Sequence, residues 1–225
     1  MSMQLLRLLQ LSDPALPIGG FSHSSGLETY VQQDSVHDKL SATDFITSML
    51  TRSLRFNDAA FASLAYDADS LAAITELDFE CSAYKIPLEM KQASQKLGNR
   101  LLKIYHGFLE NSILRDYKSL ISTGDAMGNY AVVFGALAAV LGISKREALT
   151  GFYFNAASSM VTNAVKLVPL GQQDGQDILF SLQNLINELA EQTLIPDKEM
   201  TGLTCMAFDI RSMQHERLYS RLYMS

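Results

Sequence analysis

Cysteine is nearly absent from this chain: Cys81 and Cys205 are the only two in 225 residues. Two thiols so far apart exclude a disulfide framework and a cysteine-rich zinc site, and they suit a reducing, cytoplasmic setting. Positive charge is also short. Eighteen Lys and Arg against 24 Asp and Glu leave a formal charge of −6 and a pI near 5.2, which argues against a phosphate-backbone binder, so no nucleic-acid partner is expected. The histidines, His23, His37, His106 and His215, are scattered without the H-x-H or H-E-x-x-H spacing that holds a metal. There is no G-x-x-x-x-G-K loop, and the Gly19-Gly20 pair lacks the lysine that would reach a nucleotide's phosphates. No G-x-S-x-G elbow appears either, and Ser22 and Ser24 around His23 read as helix caps. The expectation is a protein without catalytic residues, metal or cofactor.

Long hydrophobic runs are scarce as well. The one candidate, Ala126 to Ser144, is uncharged throughout and approaches the ~20 residues of a bilayer span. Within it Gly128, Gly135 and Gly142 recur every seven residues with Ala131 and Ala138 between them, a small-residue stripe that lets another helix come close. That pattern reads as a buried core helix, and no membrane association is expected. The N-terminal MSMQLLRLLQLSDP carries Arg7 inside its apolar part and soon reaches Asp13 and Pro14, a poor secretory signal.

What remains is helix almost throughout. With 48% hydrophobic residues, a chain of this length buries on the order of 70% of its unfolded surface, enough for one core without staples. The expected fold is all-α, a single-domain compact bundle of roughly ten helices over residues 1–225. Met3 to Leu11 is amphipathic and leads into the loop SDPALPIGGF. A helix carrying Gly26, Leu27 and Glu28 follows, then one capped by Ser41 with Asp44, one capped by Asn57 or Asp58, and one from Asp69 to about Tyr84. Pro87 sits at a first helical position before a helix striped with Met90, Ala93, Leu97, Leu101 and Ile104. Another runs through Leu109, Ile113 and Tyr117 to Gly124.

The stretch NAASSMVTNAVKLVPLGQQDGQD joins a helix, a stop and a second start. Its helix is capped by Ser144 with Glu147 three residues on. Down it runs a polar seam of Asn155, Ser159, Thr162 and Lys166. The first three read most simply as side chains that bond back to their own helix, and the sharper alternative makes the seam the polar floor of a small-molecule or enzyme pocket. Lys166 must snorkel to water or meet a carboxylate. Pro169 ends the helix, Gly171 permits an unusual backbone angle, and Gln172 opens one further helix to about Gln192. Pro196, Asp197 and Gly202 then loosen the chain. The basic and aromatic end MAFDIRSMQHERLYSRLYMS is either a helix docked on its own core or a segment that orders on a partner; residues 197–225 are expected to be mobile in the second case.

Four stretches, LLQLSDPALPIGGFSHSSGLE, GNYAVVFGALAAVLGIS, TNAVKLVPLGQQDGQ and MQHERLYSRLYMS, together resemble the UreF family of urease accessory proteins, in order and over nearly the whole chain. The sequence departs from the family at His23, where an aromatic residue is frequent, and at Asn129, where histidine is common. The resemblance implies an all-helical, self-pairing, non-catalytic adaptor in nickel insertion. It implies partners UreD (UreH in some bacteria), the GTPase UreG and apo-urease. Partner-binding positions carried over by motif are Pro17, Gly19, Gly20, Ser22, Gly26, Leu27 and Glu28 in the first signature and Lys166, Pro169, Gly171 and Gln172 in the corner. In the tail they are His215, Arg217, Tyr219, Ser220, Arg221 and Leu222, matching the segment that orders on UreD, whereas Glu28 and Lys166 fall where UreG or urease would face.

Overall fold

The glycine-striped apolar run becomes the axis of the molecule, although only its middle is helical. A computed structural model describes residues 3–20, 23–24, 26–219 and 221–224; among them are twelve α-helices and no strand. In chain order these are α1 (Met3–Leu11), α2 (Leu27–Gln32), α3 (Lys39–Ser48), α4 (Asp58–Asp67), α5 (Leu71–Tyr84), α6 (Leu88–His106), α7 (Ser112–Thr123), α8 (Tyr130–Val140), α9 (Lys145–Leu167), α10 (Gln172–Ser181), α11 (Gln183–Gln192) and α12 (Met206–His215). A π-helical stretch, Met49–Leu54, continues α3.

The all-α expectation holds, with more helices than the roughly ten anticipated. The 172–192 segment is two helices, because the chain turns at buried Leu182. Ser181 bonds back to the Ile178 carbonyl at 2.7 Å there, and both halves then lie along α9. Some starts also shift. Asp38, not Ser41, caps α3: its carboxylate accepts from the Ser41 amide at 2.8 Å while the Ser41 hydroxyl accepts from the Asp38 amide. Ser70 rather than Asp69 caps α5, and Asn111 caps α7, which starts three residues later than Leu109.

A buried charge shortens the apolar run. Asp78 on α5 is fully buried, and its carboxylate accepts from the amides of Met127, Gly128 and Asn129 at 2.8, 2.7 and 2.8 Å and from the Asn129 side chain at 2.7 Å. Residues 126–129 are thereby held out of helical geometry, and α8 starts at Tyr130 with a negative charge beside its N-terminus. At the other end Gly142, with φ +67°, closes the helix, its amide bonding to Ala139 and that of Ile143 to Ala138. Among the described residues no helix is long and apolar enough to cross a membrane.

Small residues then set how closely neighbours approach. A methyl group on Gly135 would overlap the backbone of Ala62 on α4, and one on Gly98 of α6 would overlap the Gly128 carbonyl. Phe134 and Phe152 meet edge-on at 4.9 Å between centroids, joining α8 to α9. The long α9, capped by Ser144 as its sequence indicates, carries α1, α2, α3, α10 and α11 along its length, and α12 lies across α2 and α6.

Gly135→Ala is expected to cost about 1–3 kcal/mol by overpacking, and Asp78→Asn about 2–4 kcal/mol by turning an amide donor toward backbone donors. Urea unfolding checks both: the midpoint should fall with an unchanged slope.

Candidate functional site

The two ends of the chain meet at one carboxylate. Gly26, with φ +77°, turns the chain into α2 and lies under α12, where a methyl group would press on Ser212 and Phe208. Leu27 and Glu28 follow and are buried. Glu28 Oε1 accepts from the Leu222 amide at 2.7 Å, and Oε2 accepts from the Tyr223 amide at 3.1 Å and faces His215 Nε2 at 3.1 Å. His215 Nδ1 in turn faces Glu89 on α6 at 2.8 Å, and Arg221 donates to the other Glu89 oxygen at 2.6 Å. A carboxylate this deep is stable only when its oxygens are met by donors, and here the donors come from the final turns of the chain. The tail backbone is thus pinned from below.

Its side chains divide accordingly. His215 points inward and is fully buried, whereas Arg217, Tyr219 and Leu222 are exposed, Tyr219 completely. Arg221 is half exposed beside Glu89. On α12 the exposed Met206, Ile210 and Met213 stand four and three residues apart on one face. Ser22 and Ser220 lie outside the described residues. Glu89, which no sequence signal marks beyond its place in a first helical turn, completes the cluster.

The loop of the first signature sits on α6 and α9. Pro17 is exposed; Gly19 adopts φ +89° beside Arg100, which donates to the Ile18 carbonyl at 2.9 Å; Gly20 has open space around it. Asn163 of α9 donates to the His23 carbonyl at 2.8 Å, so the loop lies within about a turn of the corner that follows α9. At that corner Lys166, Pro169, Gly171 and Gln172 are exposed. Lys166 reaches water: no carboxylate lies within ion-pair distance among the described residues. Asp174 accepts from the Gly171 amide at 3.0 Å and, with Asp177, holds Lys39 of α3 at 3.1 and 2.7 Å. The Gly171 amide and then Lys39 keep the Asp174 carboxyl below its usual range.

The polar seam does not act as a unit. Asn155 donates to the Ser12 carbonyl at 3.0 Å, and Thr162, exposed, bonds back to Ser158 at 2.8 Å. Only Asn155 and Ser159 reach a cavity of about 210 Å³, walled by Met49, Tyr130, Phe152, Met160 and Phe208. Also on its wall, Lys85 pairs with Asp58 at 2.7 Å; burial opposes the Lys85 charge, but Asp58, Cys81 and Asp209 together outweigh it and hold the pKa above normal. Burial raises Asp209, with Lys85 opposing, and raises the Cys205 thiol; the core thiol of Cys81 is pushed up to about 12. The cavity therefore presents a satisfied ion pair and a protonated thiol, not a nucleophile beside a base. Among the described residues no group of His, Cys, Asp and Glu converges to hold a metal ion.

His23 has its pKa lowered, first by burial and then by Lys96 and Arg100, with Glu89 opposing. The unfolded chain therefore binds the proton more readily: the His23 contribution is full above pH 6.5, the ordinary value, and is lost as pH falls through the lowered one. The thermal midpoint should drop on acidification below that point, and His23→Gln should flatten the slope. For the tail, Glu28→Gln should raise amide exchange in residues 206–224 by about tenfold or more while α8 stays protected; mass-detected hydrogen exchange reads both.

Comparison with known proteins agrees with the resemblance. The UreF family model matches residues 36–183. The urease accessory protein UreF of Actinobacillus pleuropneumoniae serotype 3 (strain JL03) is 46% identical over 225 residues, covering 99% of each chain. That of Haemophilus influenzae (strain ATCC 51907 / DSM 11121 / KW20 / Rd) is 45% identical over 221 residues, 97% of this chain and 94% of its own. That of Bacillus sp. (strain TB-90) is 36% identical over 225 residues, 99% of each.

Proposed function

The chain belongs to the UreF family of urease accessory proteins, and from that premise we propose that it is a non-catalytic, cytoplasmic adaptor for nickel insertion into apo-urease. In this reading the self-paired protein bridges UreD (UreH) and the GTPase UreG and couples GTP hydrolysis to nickel delivery. The observation that supports it best is the division of the tail. Glu28 and Glu89 grip the backbone and His215 from beneath, leaving Tyr219 and Leu222 displayed on a fixed base next to the apolar face of α12. Tyr and Arg anchors held in place before contact lose little entropy on binding and dominate interface energies. The signature loop and the corner, side by side at the end of α9, make a second exposed surface suited to UreG or urease.

Coupling to the GTP cycle requires that the adaptor complex bind the GTP and GDP forms of UreG with different affinity, since equal binding shifts nothing. A second reading, a small-molecule binder, is favoured by one observation, the cavity that Asn155 and Ser159 share. A ligand carried through purification and seated there would support it.

Light scattering on chromatographed mixtures with the matching UreD tests the adaptor directly. Tyr219→Ala with Leu222→Ala should weaken the complex by about tenfold or more, roughly 1.4 kcal/mol, with no change in thermal midpoint, because neither side chain is buried in the free protein. Undiminished binding by this variant would remove the tail as the docking element.

A further inference from the structure

The longest basic stretch of this acidic chain has no role so far. Between Glu89 and Glu110 there is no Asp or Glu, yet Lys91, Lys96, Arg100 and Lys103 all fall there. Lys96, Arg100 and Lys103 stand four and three residues apart on one exposed face of α6, with Gln92 a turn before them, while Leu97, Leu101 and Tyr105 point to the core or its edge. None of the four cations forms an ion pair among the described residues, whereas Lys39, Lys85, Lys145 and Arg146 all do. Their field is turned outward, and it is strong enough nearby that Lys96 and Arg100 both act on His23.

Beside this face runs an open groove of about 460 Å³. Gln92, Lys96 and Arg100 form one wall; Ile121, Ala126 and Met127, from the end of α7 and the loop before α8, form the other. The groove is built, not incidental. Asp78 pins the amides of residues 127–129, and Gly98 lets α6 press directly on the backbone at Gly128, so both walls are set before anything binds.

We propose that this groove docks an acidic segment of a partner protein, carboxylates against Lys96, Arg100 and Lys103 and an apolar side chain on Met127 and Ile121. The apolar wall and the amide groups of Gln92 and Asn99 suit a peptide, with a backbone to bond and a side chain to bury. A long polyanion would extend past the basic face onto the rest of a chain whose net charge is −6, and a free phosphate would leave the apolar wall unused. The proposal rests on the adaptor reading, and it adds a third contact surface distinct from the tail and the corner.

The test is the affinity of the full chain for the matching UreD, UreG and apo-urease, each separately, by biolayer interferometry at about 0.05 M and about 0.3 M NaCl. The Lys96→Glu/Lys103→Glu variant leaves Arg100 and its bond to Ile18 intact. One of the three partners should bind this variant about tenfold or more weaker at low salt, with the two proteins converging at high salt and an unchanged thermal midpoint. Lys96→Gln/Lys103→Gln should fall between. Equal binding of all three partners by wild type and variant, within about twofold, would overturn the groove while leaving the adaptor reading standing. So would a loss that is the same at both salt concentrations, or displacement of the partner by inorganic phosphate at constant ionic strength, which would mark a small-anion site. If wild type binds none of the three, the adaptor reading falls and the groove proposal with it.

Discussion

A carboxylate removed from water has to be surrounded by donors, and Asp78 meets that requirement with the backbone of residues 127–129 and the side chain of Asn129. Much follows from this one arrangement. It marks where α8 begins, because Asp78 gathers three consecutive amides around Gly128, whose φ of +76° takes the backbone out of the helical region just before Tyr130. It also fixes the loop against which Gly98 brings α6, and through α8 the close approach of α4 at Gly135. Asn129, a departure from the family pattern, is in this chain one of the groups that holds the buried charge.

Glu28 repeats the solution under different circumstances. Its donors are the amides of Leu222 and Tyr223 and the ring of His215, and they belong to the end of the chain, where few other contacts compete. Asp78 lies among helices that are packed on every side, so its bonds open only when the core does. The bonds of Glu28 can open with α12 and the tail alone, at a smaller free-energy cost, because local openings draw on the least buried segments. Identical chemistry therefore makes a permanent joint in one place and a separable one in the other.

This organisation separates the motif residues into two kinds. Gly26, Leu27, Glu28 and His215 face inward and shape the platform; Pro17, Arg217, Tyr219, Leu222 and the corner residues face out from it. A short motif shared across a family can thus combine residues that make a surface with residues that merely position it, and the two respond differently to substitution. The charge distribution follows a similar division. Among the described residues the cations of α6 form no ion pair, while Lys39 of α3, Lys145 of α9 and Arg221 of the tail are engaged with carboxylates of other elements.

Helix class, most helix positions and the burial of the glycine-striped run were legible in the sequence, since helical periodicity, caps and small-residue stripes depend on residues three to seven apart. The Ser144 cap and the stop at Pro169 are of this kind. The break at Leu182 and the early start of α3 were not, because each turns on which of several similar local bonds the packed neighbours favour. Neither the partners of Asp78, about fifty residues distant, nor those of Glu28, with His215 187 residues away, leave any periodic trace. A carboxylate in a sequence carries no mark of the amide it will meet. The sequence by itself determined that this chain is helical, which runs are apolar and which motifs tie it to its family. Only the tertiary structure decided which charges are buried and answered, because desolvation acts on a side chain through everything that packs around it.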